Sequence, residues 1–238
     1  MTNKEFVKRL IDVANNYKTL YIMGCFGAPM TEANKTRYCN NHSYNKQASR
    51  QKMIKAATSD IFGFDCVNLI KGVLWGWNGD KSKIYGGAQY AVNGVPDVSA
   101  DGMIAKCLNV STDFSNIEVG EAVWCPGHIG VYIGDGLAVE CTPSWKNCVQ
   151  ITACNCAKSG YNRRNWVKHG KLPYISYEKF EPKKLETGND IIWELINGEY
   201  KVKIDDVKRA VAALDNAKDS EEFMSLYWIL YKLVNKNV

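Results

Sequence analysis

Three residues carry the types and spacing of a nucleophile, a base and an orienting acid. Cys66 closes the segment Gly63-Phe64-Asp65-Cys66, and Val67, Ile70, Val73, Leu74 and Trp77 follow on one face. That spacing predicts a helix over 66–77 with the thiol at its N-terminus. Unsatisfied backbone N–H groups and the helix dipole favour a thiolate there and lower the thiol pKa. On this feature alone, a small core residue at a helix start is the plainer reading.

His128 opens the run Gly127-His128-Ile129-Gly130-Val131-Tyr132-Ile133-Gly134. Alternation predicts a strand with Ile129, Val131 and Ile133 on the core face and His128 on the other. Of the three histidines, His42 falls in a polar stretch and His169 in a basic one, so His128 is the one expected to be buried at a site. Glu140 follows His128 by twelve residues, and hairpin register decides whether the two share a face. A two-residue turn at Asp135-Gly136 pairs Gly134 with Leu137 and sets Glu140 opposite Val131, on the wrong face. A three-residue connection, Gly134-Asp135-Gly136, pairs Ile133 with Leu137 and sets Glu140 opposite Gly130, on a diagonal of roughly 7–8 Å from His128. The three-residue register is expected. A carboxylate so placed accepts the imidazole N–H, fixes its tautomer and stabilises the imidazolium.

The elements that must hold these residues are α+β in pattern. Phe6, Val7, Leu10, Ile11 and Ala14 mark a helix over 4–17. Residues 31–60 read as a long polar surface loop with some helix near 46–57, and 82–116 as loop and short helix. Residues 121–153 break into short β-rich runs, AVWC, HIGVYI, LAVEC and CVQIT, split by turn residues, which predicts an antiparallel meander. A polar linker follows. Asp190, Asp205 or Asp206, and Asp219 or Ser220 can each cap a short amphipathic helix, which predicts a small three-helix bundle. The expected organisation is a catalytic domain over 1–177, a linker over 178–188 and a helical domain over 189–238.

Composition narrows the class. With 46% apolar residues in 238, the chain has enough to bury a core, and no run is long enough to span a membrane. The net charge of +5 is uneven: residues 1–177 carry 20 Lys and Arg against 13 Asp and Glu. A mildly basic front suits an acidic or polyanionic target and is no nucleic-acid signature. The N-terminus lacks the apolar core of a signal peptide. Nine cysteines cannot all pair within one chain, so free thiols in a reducing cytosol are expected. The cluster Cys141, Cys148, Cys154 and Cys156 lacks CxxC spacing and reads as small buried hydrophobes rather than a zinc site. No metal or cofactor is called for.

Taken in order, YIMG (21–24), GFDC (63–66) and GHIGVYIGDG (127–136), with a polar residue twelve after the histidine, resemble the NlpC-like cysteine peptidases. These are papain-like peptidoglycan hydrolases related to CHAP domains, and the resemblance covers about residues 4–176. The stretch RNWVKHGKLPY (164–174) and the helical tail are most similar to clostridial phage endolysins. DCVN stands where the family has DCSG, MGCFG stands where it has a WGG run, and Glu140 replaces a more usual His, Asn or Gln.

The resemblance implies a papain-like fold with helices against an antiparallel sheet. It implies Cys66 as nucleophile, His128 as general base, Glu140 as orienting residue and Tyr21 at the oxyanion site. The implied reaction is hydrolysis of a stem-peptide amide of bacterial peptidoglycan, after D-glutamate in the endopeptidases or between muramic acid and L-alanine in the amidases, the first being favoured. An acyltransferase or toxin effector on the same fold is the alternative. An endolysin would be made in the host cytoplasm and reach the wall after release. Trp75, Trp77, Trp124 and Trp145 are candidates for a substrate groove, with at least half expected in the core. In the tail, Trp228 falls off the face formed by Phe223, Leu226, Tyr227, Leu230, Tyr231 and Val234. The tail is therefore expected to bind the wall, with homo-oligomerisation as the rival.

Overall fold

The computed structural model describes residues 1–177. The chain divides into two units, Met1–Glu178 and Lys179–Val238. The expected linker at 178–188 and helical bundle at 189–238 lie outside the described residues.

Helix α1 (Asn3–Asn16) starts where Thr2 and Glu5 form a reciprocal capping box, and it buries Phe6, Val7, Leu10 and Val13. Strands β1 (Lys18–Tyr21) and β2 (Phe26–Pro29) follow. The stretch expected to be mostly loop holds an unexpected helix, α2 (Glu32–Asn41), and then α3 (Ala48–Ala56), where a helix near 46–57 is expected. Thr31 caps α2 through the Asn34 N–H, and Asn34, Tyr38 and Cys39 are its buried residues. Only two of those three are apolar, so an apolar stripe is nearly absent and the periodicity signal fails. Strand β3 (Ile61–Phe64) leads straight into α4 (Cys66–Leu74), whose every residue is buried. Asp65 caps α4 by accepting the Asn68 N–H at 2.8 Å.

After a long connection come α5 (Ala100–Lys106), β4 (Leu108–Ser111) and a 3₁₀ turn at Phe114–Asn116. The meander is as expected: β5 (Ala122–Cys125), β6 (His128–Gly134), β7 (Leu137–Thr142) and β8 (Cys148–Cys154) pair antiparallel in succession. Two short strands, β9 (Arg163–Arg164) and β10 (Lys168–Lys171), complete a seven-stranded sheet in the order β4-β10-β5-β6-β7-β8-β9. A separate three-stranded sheet, β1-β3-β2, aligns β1 and β3 in parallel.

The architecture is α+β. Ile129, Val131, Val139 and Cys141 face the main core with α1, α4 and α5. The other face of the large sheet has its own small cluster of Val123, Ala138, Cys154 and Trp166. Among the described residues, no helix is long and apolar enough to cross a membrane.

Candidate active site

The register beside His128 arises by a different route from the expected one. The turn is two residues, Asp135 (φ 50°) and Gly136 (φ 66°), and Gly134 does pair with Leu137. A bulge at Ile133 then shifts the ladder, so Tyr132 faces Ala138 and Val131 faces Val139. One step further, Glu140 stands level with Gly130. The three-residue connection is thus replaced by a two-residue turn plus a bulge, and the bulged residue restores the face that the turn alone would reverse.

His128 Nε2 meets Glu140 Oε2 at 2.7 Å. Glu140 is fully buried and also accepts the Thr152 hydroxyl at 2.7 Å. Arg164 reaches the same carboxylate through Nε at 2.9 and 3.1 Å and through Nη2 at 2.7 Å. Burial would raise the Glu140 carboxyl, but the His128 and Arg164 bonds hold it below the usual carboxylate value. Arg164 is itself fixed: it donates to Thr142 Oγ1 at 3.1 Å and lies over the rings of Trp145 (4.8 Å) and Trp166 (5.7 Å). The His128 ring stacks on Trp166 with centroids 5.5 Å apart and planes 9° apart.

Gly130 makes this stack possible. A Cβ there would lie 2.8 Å from the Val139 carbonyl oxygen and 3.1–3.2 Å from the Trp166 ring. With Nε2 committed to Glu140, Nδ1 is the imidazole nitrogen that remains to exchange a proton.

Cys66 occupies the first position of α4 and is 7% exposed. The backbone N–H groups of Ile129, Val67 and Cys66 itself face its sulfur and favour the thiolate. Burial nevertheless dominates, with the Asp65 charge adding to it, and the thiol is pushed up to about 12. The helix-terminus expectation of a lowered thiol pKa is therefore corrected: desolvation outweighs the dipole. Among the described residues no hydrogen bond joins the sulfur to His128. The sulfur sits at the Ile129 N–H, one residue along β6.

Tyr21 ends β1 opposite Phe64 at the end of β3, so the parallel pairing carries it to the level of Asp65 and Cys66. It is buried, with its ring edge-on to Tyr44 at 5.8 Å, and burial raises its phenol, followed by the Cys66 and Asp65 charges. Tyr21 and Cys66 thus share the main core at the ends of β1 and β3, while His128, at the start of β6, stacks on Trp166 with Glu140 of β7 beside it. The bonded pair is His128–Glu140.

The histidine reading needs one correction. His169, not His128, is the more buried, at 4% exposure. Its Nδ1 pairs with Glu121 and its Nε2 faces the Asp113 carbonyl at 2.8 Å. Trp75 and Trp77 are core residues, whereas Trp124 donates to Asp101 at 2.8 Å and Trp145 is 47% exposed beside Arg164. Sequence reasoning missed Arg164, Thr152 and Trp166, which come from β8, β9 and the loop after it. It also missed Cys125, whose half-buried thiol stands directly across the β5–β6 ladder from His128. Among the described residues, no group of three or more His, Cys, Asp or Glu is arranged to hold a metal ion.

No known family model matches this chain, and no curated protein matches it.

Proposed function

We propose that this chain is a cysteine hydrolase of the papain-like, NlpC-like kind, cleaving an amide of the peptidoglycan stem peptide. The observation that carries the reading is the His128–Glu140 contact at 2.7 Å at the head of the strand whose next N–H faces the Cys66 sulfur. This is a nucleophile, a base and an orienter in the order that acyl transfer needs.

In the proposed reaction a substrate carbonyl enters above Cys66, and His128 Nδ1 takes the thiol proton as the sulfur attacks. Such contacts tighten in the substrate complex, so a resting site without a Cys66–His128 bond is compatible with the step. The Cys66 N–H, which has no intrahelical acceptor at the start of α4, and the Tyr21 hydroxyl stabilise the oxyanion. His128 then gives its proton to the departing amine. Water, deprotonated by His128, hydrolyses the thioester and restores the thiol. Cleavage after D-glutamate is the favoured bond. Residues 189–238 are proposed to target the enzyme to the wall.

The test is digestion of purified Gram-positive walls, with the fragments identified by mass spectrometry. Fragments with a new amine after D-glutamate support the endopeptidase. Release of intact stem peptides from muramic acid would make the enzyme an amidase. No digestion of any wall, by protein shown to be folded, would refute the reading.

A further inference from the structure

The carboxylate beside His128 does not act alone. Glu140 is wholly buried, and three of its contacts come from one guanidinium. Arg164 lies in a two-residue strand and would be free to point elsewhere but for Thr142, Trp145 and Trp166, which hold it from separate directions. We propose that Arg164 is a positioning residue of this site: it clamps Glu140 and balances its charge beside the His128 ring. The consequence for turnover rests on the hydrolase reading above, but the charge relation does not.

An imidazole beside an unbalanced buried carboxylate is drawn toward its protonated form, which cannot accept a thiol proton. A guanidinium on the same carboxylate offsets that attraction. Its forked donors also fix the carboxylate plane, which a single ammonium does not do. The other titratable groups beside His128 are Cys125, across the strand pair, and Asp101, which accepts the neighbouring Gly127 N–H at 3.0 Å. Lys168 on β10 lies over the Trp124 ring. None of these changes in an Arg164 variant.

The experiment is a ¹⁵N-histidine NMR titration of the full chain, with His128 assigned by its loss in His128→Gln. In Arg164→Gln the His128 midpoint is expected to rise by about one unit or more, the usual effect of a close unbalanced charge. Arg164→Lys should return most of the midpoint, because the charge remains, while kcat stays reduced because the fork is gone. Glu140→Gln approaches the relation from the other side. It leaves Arg164 unbalanced and should lower the midpoint, so the test stands even if Arg164→Gln fails to fold. A wild-type midpoint in both Arg164→Gln and Glu140→Gln, or in whichever of them folds, would overturn the assignment. In active protein, the acid limb of the kcat/KM profile should move with the NMR midpoint. Movement of the midpoint in protein that digests no wall would keep the Arg164 assignment and refute the hydrolase reading.

Discussion

Gly130→Ala should damage both stability and the site, although Gly→Ala in a strand usually helps. Restricting the unfolded chain favours alanine by about 0.4–1 kcal/mol where the native backbone permits it. Here the new Cβ would lie 2.8 Å from the Val139 carbonyl oxygen, a backbone atom that cannot move without opening the β6–β7 ladder. It would also press on Trp166 Cη2 and Cζ2 at 3.1 and 3.2 Å. Overpacking of this kind costs about 1–3 kcal/mol, which outweighs the entropic gain. A net loss of about 1–2 kcal/mol should lower Tm by roughly 2–8 °C for a chain of this size. Trp166 is the ring on which His128 stacks and one of the two that Arg164 covers. Its displacement should therefore cost turnover about tenfold or more, since small misplacements at a reacting centre are expensive. Thermal melting by circular dichroism and muropeptide cleavage read the two effects. Trp166→Phe removes ring atoms from the contact, and the Trp166 Nε1 makes no hydrogen bond among the described residues. Adding it to Gly130→Ala should thus cost less than the sum of the single changes. A Gly130→Ala protein with wild-type Tm and turnover would show that the Val139 carbonyl and the Trp166 ring leave room for a side chain at this position.

Glu140→Ala leaves the Arg164 charge unpaired in a largely buried site and should cost roughly 3–5 kcal/mol by denaturant unfolding. Glu140→Gln keeps an acceptor for His128 and should retain more stability and more turnover than Ala, with both exceeding the activity of His128→Ala. Because the folded Glu140 carboxyl lies below its ordinary value of 4.5, its stabilisation is complete above that value and is lost as pH falls through the folded value. Unfolding free energy measured from pH 6 to 3 should therefore fall less steeply in Glu140→Gln than in the wild type. A chain ending at Glu178 should melt cooperatively and cleave soluble muropeptides while lysing whole cells poorly, and equal lysis by both forms would remove the targeting role from the tail.

What the sequence made legible was what short-range patterns encode. The α1 stripe, the GFDC helix start and the alternating meander all follow from local periodicity and turn chemistry. Helix α2 was hidden because it buries Asn34 alongside Tyr38 and Cys39, so no apolar stripe marks it. The face that Glu140 takes depends on a bulge at Ile133, which leaves no compositional trace. Arg164 meets Glu140 through a two-residue parallel pairing of β9 with β8, a long-range contact that no spacing predicts. The Cys66 thiol shows the same limit: its helix terminus is legible, but the burial that outweighs it depends on how α4 packs against β6.

The proposed reaction begins with attack of the Cys66 sulfur on the scissile carbonyl. It is tested most directly by incubating wild-type protein, Cys66→Ala and Cys125→Ala with defined muropeptides and following cleavage by mass spectrometry, with melting curves to show that each is folded. Cleavage is expected from the wild type and from Cys125→Ala, and none from Cys66→Ala. Substantial cleavage by folded Cys66→Ala would contradict that attack, and loss of cleavage in Cys125→Ala alone would move the nucleophile to the thiol across the strand pair from His128.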